Sequence, residues 1–351
     1  MAGTGHGSPG RGGRIASSAE LSAGAVRLDL QPKEAERPML TTEEAKQKFQ
    51  GVVIPLATIF KEDGGLDVDS TAHNVQWILE RGARQGNTIF LAAGSGGDFT
   101  SMNTEERKQV IKAVVDVAHG RVPIIAGGQS TDMRTCIELC QFCEELGVDA
   151  VQMAGPYYYD GRTGDTIEWF EELSRYTQAT LAVYNHFYSG AKFDMPLELV
   201  DRLLDIPHCR VVKWAAADLG KHVAGIRRYL PRAAVVDNSL LAVLGHVYGS
   251  RAWVSHVPNF YPEHSWKVGR LMEEGRYQEA QRVFDEFMDP YSELVSRILA
   301  ETAGEGVFVK VGMEAAGLPV GRSRPPSRDD AVPKEVRRRF RELLARVGAA
   351  A

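Results

Sequence analysis

The chain has 351 residues, 44% hydrophobic and 25% charged, with 35 Gly and 16 Pro, a balance that excludes fibrous, collagen-like and wholly disordered architectures. A formal charge of -5, from 41 Lys and Arg against 46 Asp and Glu, gives no global electrostatic ground for nucleic acid or an anionic membrane as partner. The 4 cysteines are too few for a disulfide framework, and neither a membrane-spanning apolar run nor the apolar core of a secretory signal is present, so a cytoplasmic protein is expected.

Residues 1–38 carry Gly, Ser, Arg and Pro without apolar periodicity and read as a disordered tail. Thr41 and Glu44 have the spacing of a capping box, which predicts a short helix through Phe49. Eight apolar, β-branched runs follow: VVIPLATIF, NTIFLAA, VPIIAGG, AVQMAGP, TLAVYN, RVVKWAA, AAVVDN and RAWVSHV, beginning near residues 52, 87, 122, 150, 180, 210, 233 and 251. The segments between them repeat apolar residues at helical spacing, and near-continuous apolar strands are those of a parallel sheet buried on both faces. The pattern predicts a (β/α)8 TIM barrel over 39–259, including the short helix, in preference to an open doubly wound sheet. Helical stretches at 260–302, 307–316 and 333–348 predict the last barrel helix and a C-terminal helical appendage over 260–351. Cys136, Cys140 and Cys143 share one helical face and read as core, with no metal site.

In a parallel barrel the chemistry belongs to residues that finish the strands. The second run ends in Gly94-Ser95-Gly96-Gly97-Asp98, whose backbone N–H groups and Ser95 hydroxyl suit a carboxylate or phosphate. The sixth run holds Lys213 among apolar residues. Poor solvation there lowers an amine's pKa and yields the free base that Schiff-base chemistry needs. Tyr184, one strand earlier, is placed to relay protons. Asn185 and His186 follow it, Asp237 ends the seventh run and His256 the eighth, and each is a candidate substrate contact.

GVVIPLATIF, GSGGDF with MNTEER, GRVPIIAGG, GPYY, VYN, VVKWAA and the late VKVGMEAAGLPVGRSRPP together resemble the dihydrodipicolinate synthase and N-acetylneuraminate lyase superfamily, the pyruvate-type class I aldolases, over about residues 51–348. The resemblance implies Lys213 as the Schiff-base lysine, Tyr184 as the relay tyrosine, and Ser95, Gly96 and Gly97 as the seat of a 2-oxo acid carboxylate. It further implies a covalent imine with no cofactor and no metal, a small 2-oxo acid and an aldehyde as ligands, and a homotetramer of paired dimers in which Tyr158 enters the neighbouring subunit's site.

Two departures stand out. Gly96 replaces the second hydroxyl residue of lysine-pathway synthases, which predicts a break in their hydroxyl chain and extra space beside the imine for a bulkier substrate. The stretch His186-Phe187-Tyr188-Ser189-Gly190 lacks their arginine. GSGGDF with MNTEER looks closer to the aldolases of 2-keto-3-deoxy sugar acids. The expected activity is therefore C–C cleavage or formation on a 2-oxo acid, with dehydration of a related acid as the alternative. Dihydrodipicolinate synthesis proper is a more distant alternative, and a non-catalytic binding barrel is the reading from a different class.

Overall fold

The computed structural model of the chain describes residues 39–159, 161–185 and 193–350. The proposed tail, 1–38, and His186 lie outside them. The first helix, α1 (Thr42–Lys48), begins where the capping box places it: Thr41 Oγ1 accepts from the Glu44 N–H, and the Glu44 carboxylate accepts from the Thr41 N–H at 2.8 Å.

Eight strands follow, β1 (Gly51–Pro55), β2 (Thr88–Ala92), β3 (Ile124–Gly127), β4 (Ala150–Met153), β5 (Leu181–Tyr184), β6 (Cys209–Trp214), β7 (Ala234–Asp237) and β8 (Ala252–Val254). All pair in parallel and in sequence order, and β8 closes on β1. The intervening helices are α2 (Val68–Glu80), α3 (Thr104–Ala118), α4 (Met133–Glu145), α5 (Thr163–Leu173), α6 (Leu197–Leu204), α7 (Leu219–Tyr229) and α8 (Ala242–Val247). The architecture is a (β/α)8 barrel.

The barrel interior is filled by alternate strand residues, among them Val53, Ile89, Leu91, Ile125, Ala150, Ala182, Val211, Ala234, Val236 and Ala252. Ala45 and Phe49 of α1 belong to the same cluster. Thr42 donates to the Arg232 carbonyl and Lys48 pairs with Asp149, residues that precede β7 and β4. The helix therefore plugs the end where the strands begin and leaves the other end for ligands. Cys136, Cys140 and Cys143 are buried on α4, and burial pushes the Cys136 and Cys143 thiols up to about 12.

The stretch predicted as one helix over 260–302 is two, α9 (Pro262–Glu273) and α10 (Tyr277–Glu301). Gly275 separates them, and its φ of 72° turns the chain where a residue with a side chain would be strained. Then come α11 (Glu305–Ala315) and α12 (Lys334–Arg346). Phe260, Tyr291 and Phe340 bind α10 and α12 to the loop after β8, with ring centroids 5.6 Å (Phe260–Phe340) and 5.9 Å (Tyr291–Phe340) apart.

Candidate active site

Lys213 extends the inward row that starts at Val211, and Tyr184 extends the one that starts at Ala182. The register sets the two side by side on β5 and β6, with Lys213 Nζ 4.2 Å from the centroid of the Tyr184 ring. Lys213 is 7% exposed and Tyr184 1%. Burial lowers the amine to about 8, and the Glu305 carboxylate opposes that shift. Among the described residues Lys213 has no carboxylate within ion-pair distance, so its burial is poorly compensated and the neutral amine is more accessible than in an exposed lysine.

The turn after β2 is a 3-10 helix, Ser95–Gly97. Its own hydrogen bonds use the N–H groups of Gly97, Asp98 and Phe99, which leaves those of Ser95 and Gly96, with the Ser95 hydroxyl, as donors for an anion. The left-handed residues are not the glycines but the flanking Ala93 and Asp98, at φ 50° and 53°. The glycines are required by proximity instead. A Cβ on Gly97 would stand 2.7 Å from the Leu56 carbonyl oxygen.

A Cβ on Gly96 would stand 2.9 Å from Pro55 Cβ and 3.0 Å from His256 Nε2. The expected space beside the imine is therefore not empty, because the His256 imidazole fills it. His256 Nε2 also lies 3.4 Å from Glu305 Oε2, at ion-pair distance but not aligned as a hydrogen bond. Glu305 has no local sequence signal and is missed by sequence reasoning. Its position at the first turn of α11, beside the loop after β8, is a property of the fold.

Two further ties hold the turn. Asp98 forms a buried ion pair with Lys310 of α11 at 2.9 Å, and a Cβ on Gly306 would collide with the Asp98 carboxylate. Arg324 grips the Glu106 carboxylate with both terminal nitrogens, at 2.7 and 2.8 Å, and donates to the carbonyls of Gly64 and Ser101. These hydrogen bonds hold the Glu106 carboxyl below its usual range. The late sequence signal and the two early ones thus meet in space.

The remaining candidates are placed elsewhere. Asn185 is buried with its amide used up: it donates to Asp194 Oδ1 at 2.8 Å and to the Ala215 carbonyl at 2.7 Å, and accepts from the Met195 N–H at 3.0 Å. It fastens the chain around the site rather than offering a group to substrate. Asp237 is in register with Trp214, on the face opposite Lys213, where it accepts from the Ser239 hydroxyl at 2.6 Å and packs against Gly245 and His222. Its expected role as a substrate contact is corrected, since inward positions on β7 fall to Ala234 and Val236. Tyr158 is 77% exposed and meets the Tyr159 ring edge-on at 5.2 Å.

Residues 48–346 match the dihydrodipicolinate synthetase family model. A 4-hydroxy-tetrahydrodipicolinate synthase of Cellvibrio japonicus is 29% identical over 239 residues, 67% of this chain and 80% of that protein. YagE of Escherichia coli K12, named as a candidate 2-dehydro-3-deoxy-D-gluconate aldolase, is 32% identical over 157 residues, 45% of this chain and 50% of that protein. The solved structure of YagE in complex with pyruvate superposes with a TM-score of 0.75 at 22% identity, covering 86% of this chain and 99% of that one, and so shows the shared fold. An N-acetylneuraminate lyase from Mycoplasma synoviae gives 0.73 at 22%, covering 85% and 97%. The chain belongs to the dihydrodipicolinate synthetase family, whose members are class I lyases and aldolases that form a Schiff base with pyruvate.

Proposed function

We propose, from membership in that family, that Lys213 is the Schiff-base lysine of a pyruvate-type aldolase acting on a 2-keto-3-deoxy sugar acid or a compound like it. The observation that carries the reading is the buried Lys213 amine, depressed to about 8 and lying over the Tyr184 ring. In the closed strand order β2 stands opposite β6. A 2-oxo acid whose C2 bonds to Lys213 can therefore lay its carboxylate on the N–H groups of Ser95 and Gly96 across the barrel mouth.

The neutral amine attacks C2, and Tyr184 shuttles the protons by which the carbinolamine loses water. The resulting protonated imine is the electron sink. When the C4 hydroxyl gives up its proton to a base, the C3–C4 electron pair moves into the imine; C4 leaves as an aldehyde and an enamine remains. Protonation at C3 and hydrolysis by water then release pyruvate and the amine. Dehydration shares the first half and differs in losing the C4 hydroxyl after removal of a C3 proton. Gly96, which offers no hydroxyl, weighs against lysine-pathway synthesis. The exposed Tyr158 suits the family's exchange of a tyrosine between paired subunits, and a tetramer is part of the proposal.

Incubation with pyruvate and borohydride tests the reading, since hydride reduces the imine irreversibly. The label is expected on the peptide carrying Lys213, read by mass spectrometry. Unlabelled protein, or label on another lysine alone, would remove the assignment.

A further inference from the structure

Within the Ser95–Gly97 turn only Ser95 carries a hydroxyl; Gly96 contributes an N–H and no side chain. The room beside Gly96 belongs to His256, in the loop after β8, whose Nε2 lies 3.0 Å from the point where a Cβ on Gly96 would stand. Since N and Cβ of one residue are about 2.5 Å apart, His256 Nε2 is at most about 5.5 Å from the Gly96 nitrogen. One oxygen accepting at about 2.9 Å from each of two nitrogens spans that distance. Nε2 is buried and has no hydrogen-bond partner among the described residues. The Glu305 carboxylate, 3.4 Å away, is out of line for a hydrogen bond and leaves an N–H there uncommitted. The ring is held where it stands: Phe308 meets it edge-on at 5.2 Å, and the Asn259 amide donates to the carbonyls of His256 and Pro55, both at 3.0 Å, while accepting from the Ala57 N–H at 3.2 Å. The loop after β8 is thereby fastened to the end of β1, and the imidazole to its place beside the turn.

We propose that His256 is a third arm of the carboxylate seat: with its proton on Nε2, the imidazole donates to the same 2-oxo acid carboxylate that the Ser95 and Gly96 N–H groups bind. This rests on Lys213 forming the imine with a 2-oxo acid. The imidazole makes and breaks no covalent bond. It fixes the carboxylate, and through it the ketone carbon that the amine attacks. A buried polar atom without a partner is destabilising until an acceptor reaches it, and here the ligand brings the acceptor. A ketone that lacks the carboxylate leaves Nε2 buried and unpaired, so the same group that binds a 2-oxo acid rejects the simpler compound. The absence of a hydroxyl on residue 96 is therefore no loss of a donor. The donor comes from the neighbouring loop, on a ring that occupies the room a side chain at residue 96 would need.

Borohydride trapping over a range of pyruvate concentrations separates binding from imine formation. His256→Leu removes the donor and keeps an apolar side chain in its place; His256→Gln returns an N–H at the reach of Nε2. The half-saturating pyruvate concentration is expected to rise about 10-fold or more in His256→Leu, the scale of a hydrogen bond to a charged group. In His256→Gln it is expected to return to within about threefold of the unsubstituted value, with the trapping rate at saturation within about twofold in both variants. If circular dichroism shows His256→Leu unfolded, His256→Asn, whose amide stops short of the position of Nε2, takes its place in the comparison with His256→Gln. A half-saturating concentration unchanged to within about twofold in the variant without the donor would overturn the proposal. An equal rise in His256→Gln, or a loss confined to the saturated rate, would do the same. In each of these cases a label on Lys213 of the unsubstituted protein leaves the imine standing; absence of that label would overturn both this inference and the reading on which it rests.

Discussion

Among the described residues two lysines are buried in this barrel, and their surroundings make opposite uses of the same side chain. Lys310, 3% exposed, is matched to the Asp98 carboxylate at 2.9 Å and lies over the Phe60 ring, so its charge is compensated and its amine is engaged. Lys213, 7% exposed, faces an aromatic ring with no carboxylate at ion-pair distance among the described residues, and burial lowers it to about 8. Burial is common to both. What separates a structural ammonium from a candidate nucleophile is whether a counter-charge is supplied within contact distance.

The sharpest way to break this contrast is to make one substitution at both positions. Lys213→Met should lower turnover by about 10^4-fold or more and abolish imine trapping, while the urea midpoint stays level or rises because an uncompensated buried amine has been removed. Lys310→Met should do the reverse and cost about 3–5 kcal/mol in urea unfolding, since the buried Asp98 carboxylate is left without its partner. Adding Asp98→Asn should recover part of that loss, a coupling of at least about 1 kcal/mol. If both methionine variants lose stability alike, the distinction fails.

Smaller effects refine the Lys213 side. Tyr184→Phe should reduce kcat by about 100-fold, with the far-ultraviolet circular dichroism spectrum unchanged. Gly96→Ala should destabilise the fold by about 1–3 kcal/mol, because the new methyl meets Pro55 and His256; a neutral outcome would mean that the imidazole swings away freely. The initial rate of borohydride trapping should rise with pH and level off above about 8. Deprotonation supplies the nucleophile, and an ordinary lysine would go on gaining up to about 10.

The barrel was legible because its strands are apolar on both faces: the eight runs begin within two residues of the eight strands, and the helix opened by Thr41 is present. Lys213 and Tyr184 stood out for the same reason, as polar residues in runs that tolerate few. What a linear reading lacks is the partner across the fold. Asp98 and Lys310, like Glu106 and Arg324, are more than 200 residues apart in the chain. Glu305 carries no local mark because its neighbour His256 lies well before it in the chain, in the loop after β8. Asp237 was misplaced by a question of parity: the sequence shows that it ends a strand, but the choice of inward face follows from the register with Trp214.

Arg324 also sets a timetable for the making of the protein. It closes on Gly64, Ser101 and Glu106, which leave the ribosome more than 200 residues before it does, so the loops translated first are completed last. A nascent chain that has emerged only as far as Val254 owns all eight strands but neither Lys310 to neutralise Asp98 nor Arg324 to clamp the adjoining helix. At translation rates of about 5–20 residues per second, several seconds pass in which the barrel can close around a Ser95–Gly97 turn that has not yet received its fasteners. The turn and its adjoining helix are therefore fastened only when Lys310 and Arg324 have emerged, and not by closure of the sheet.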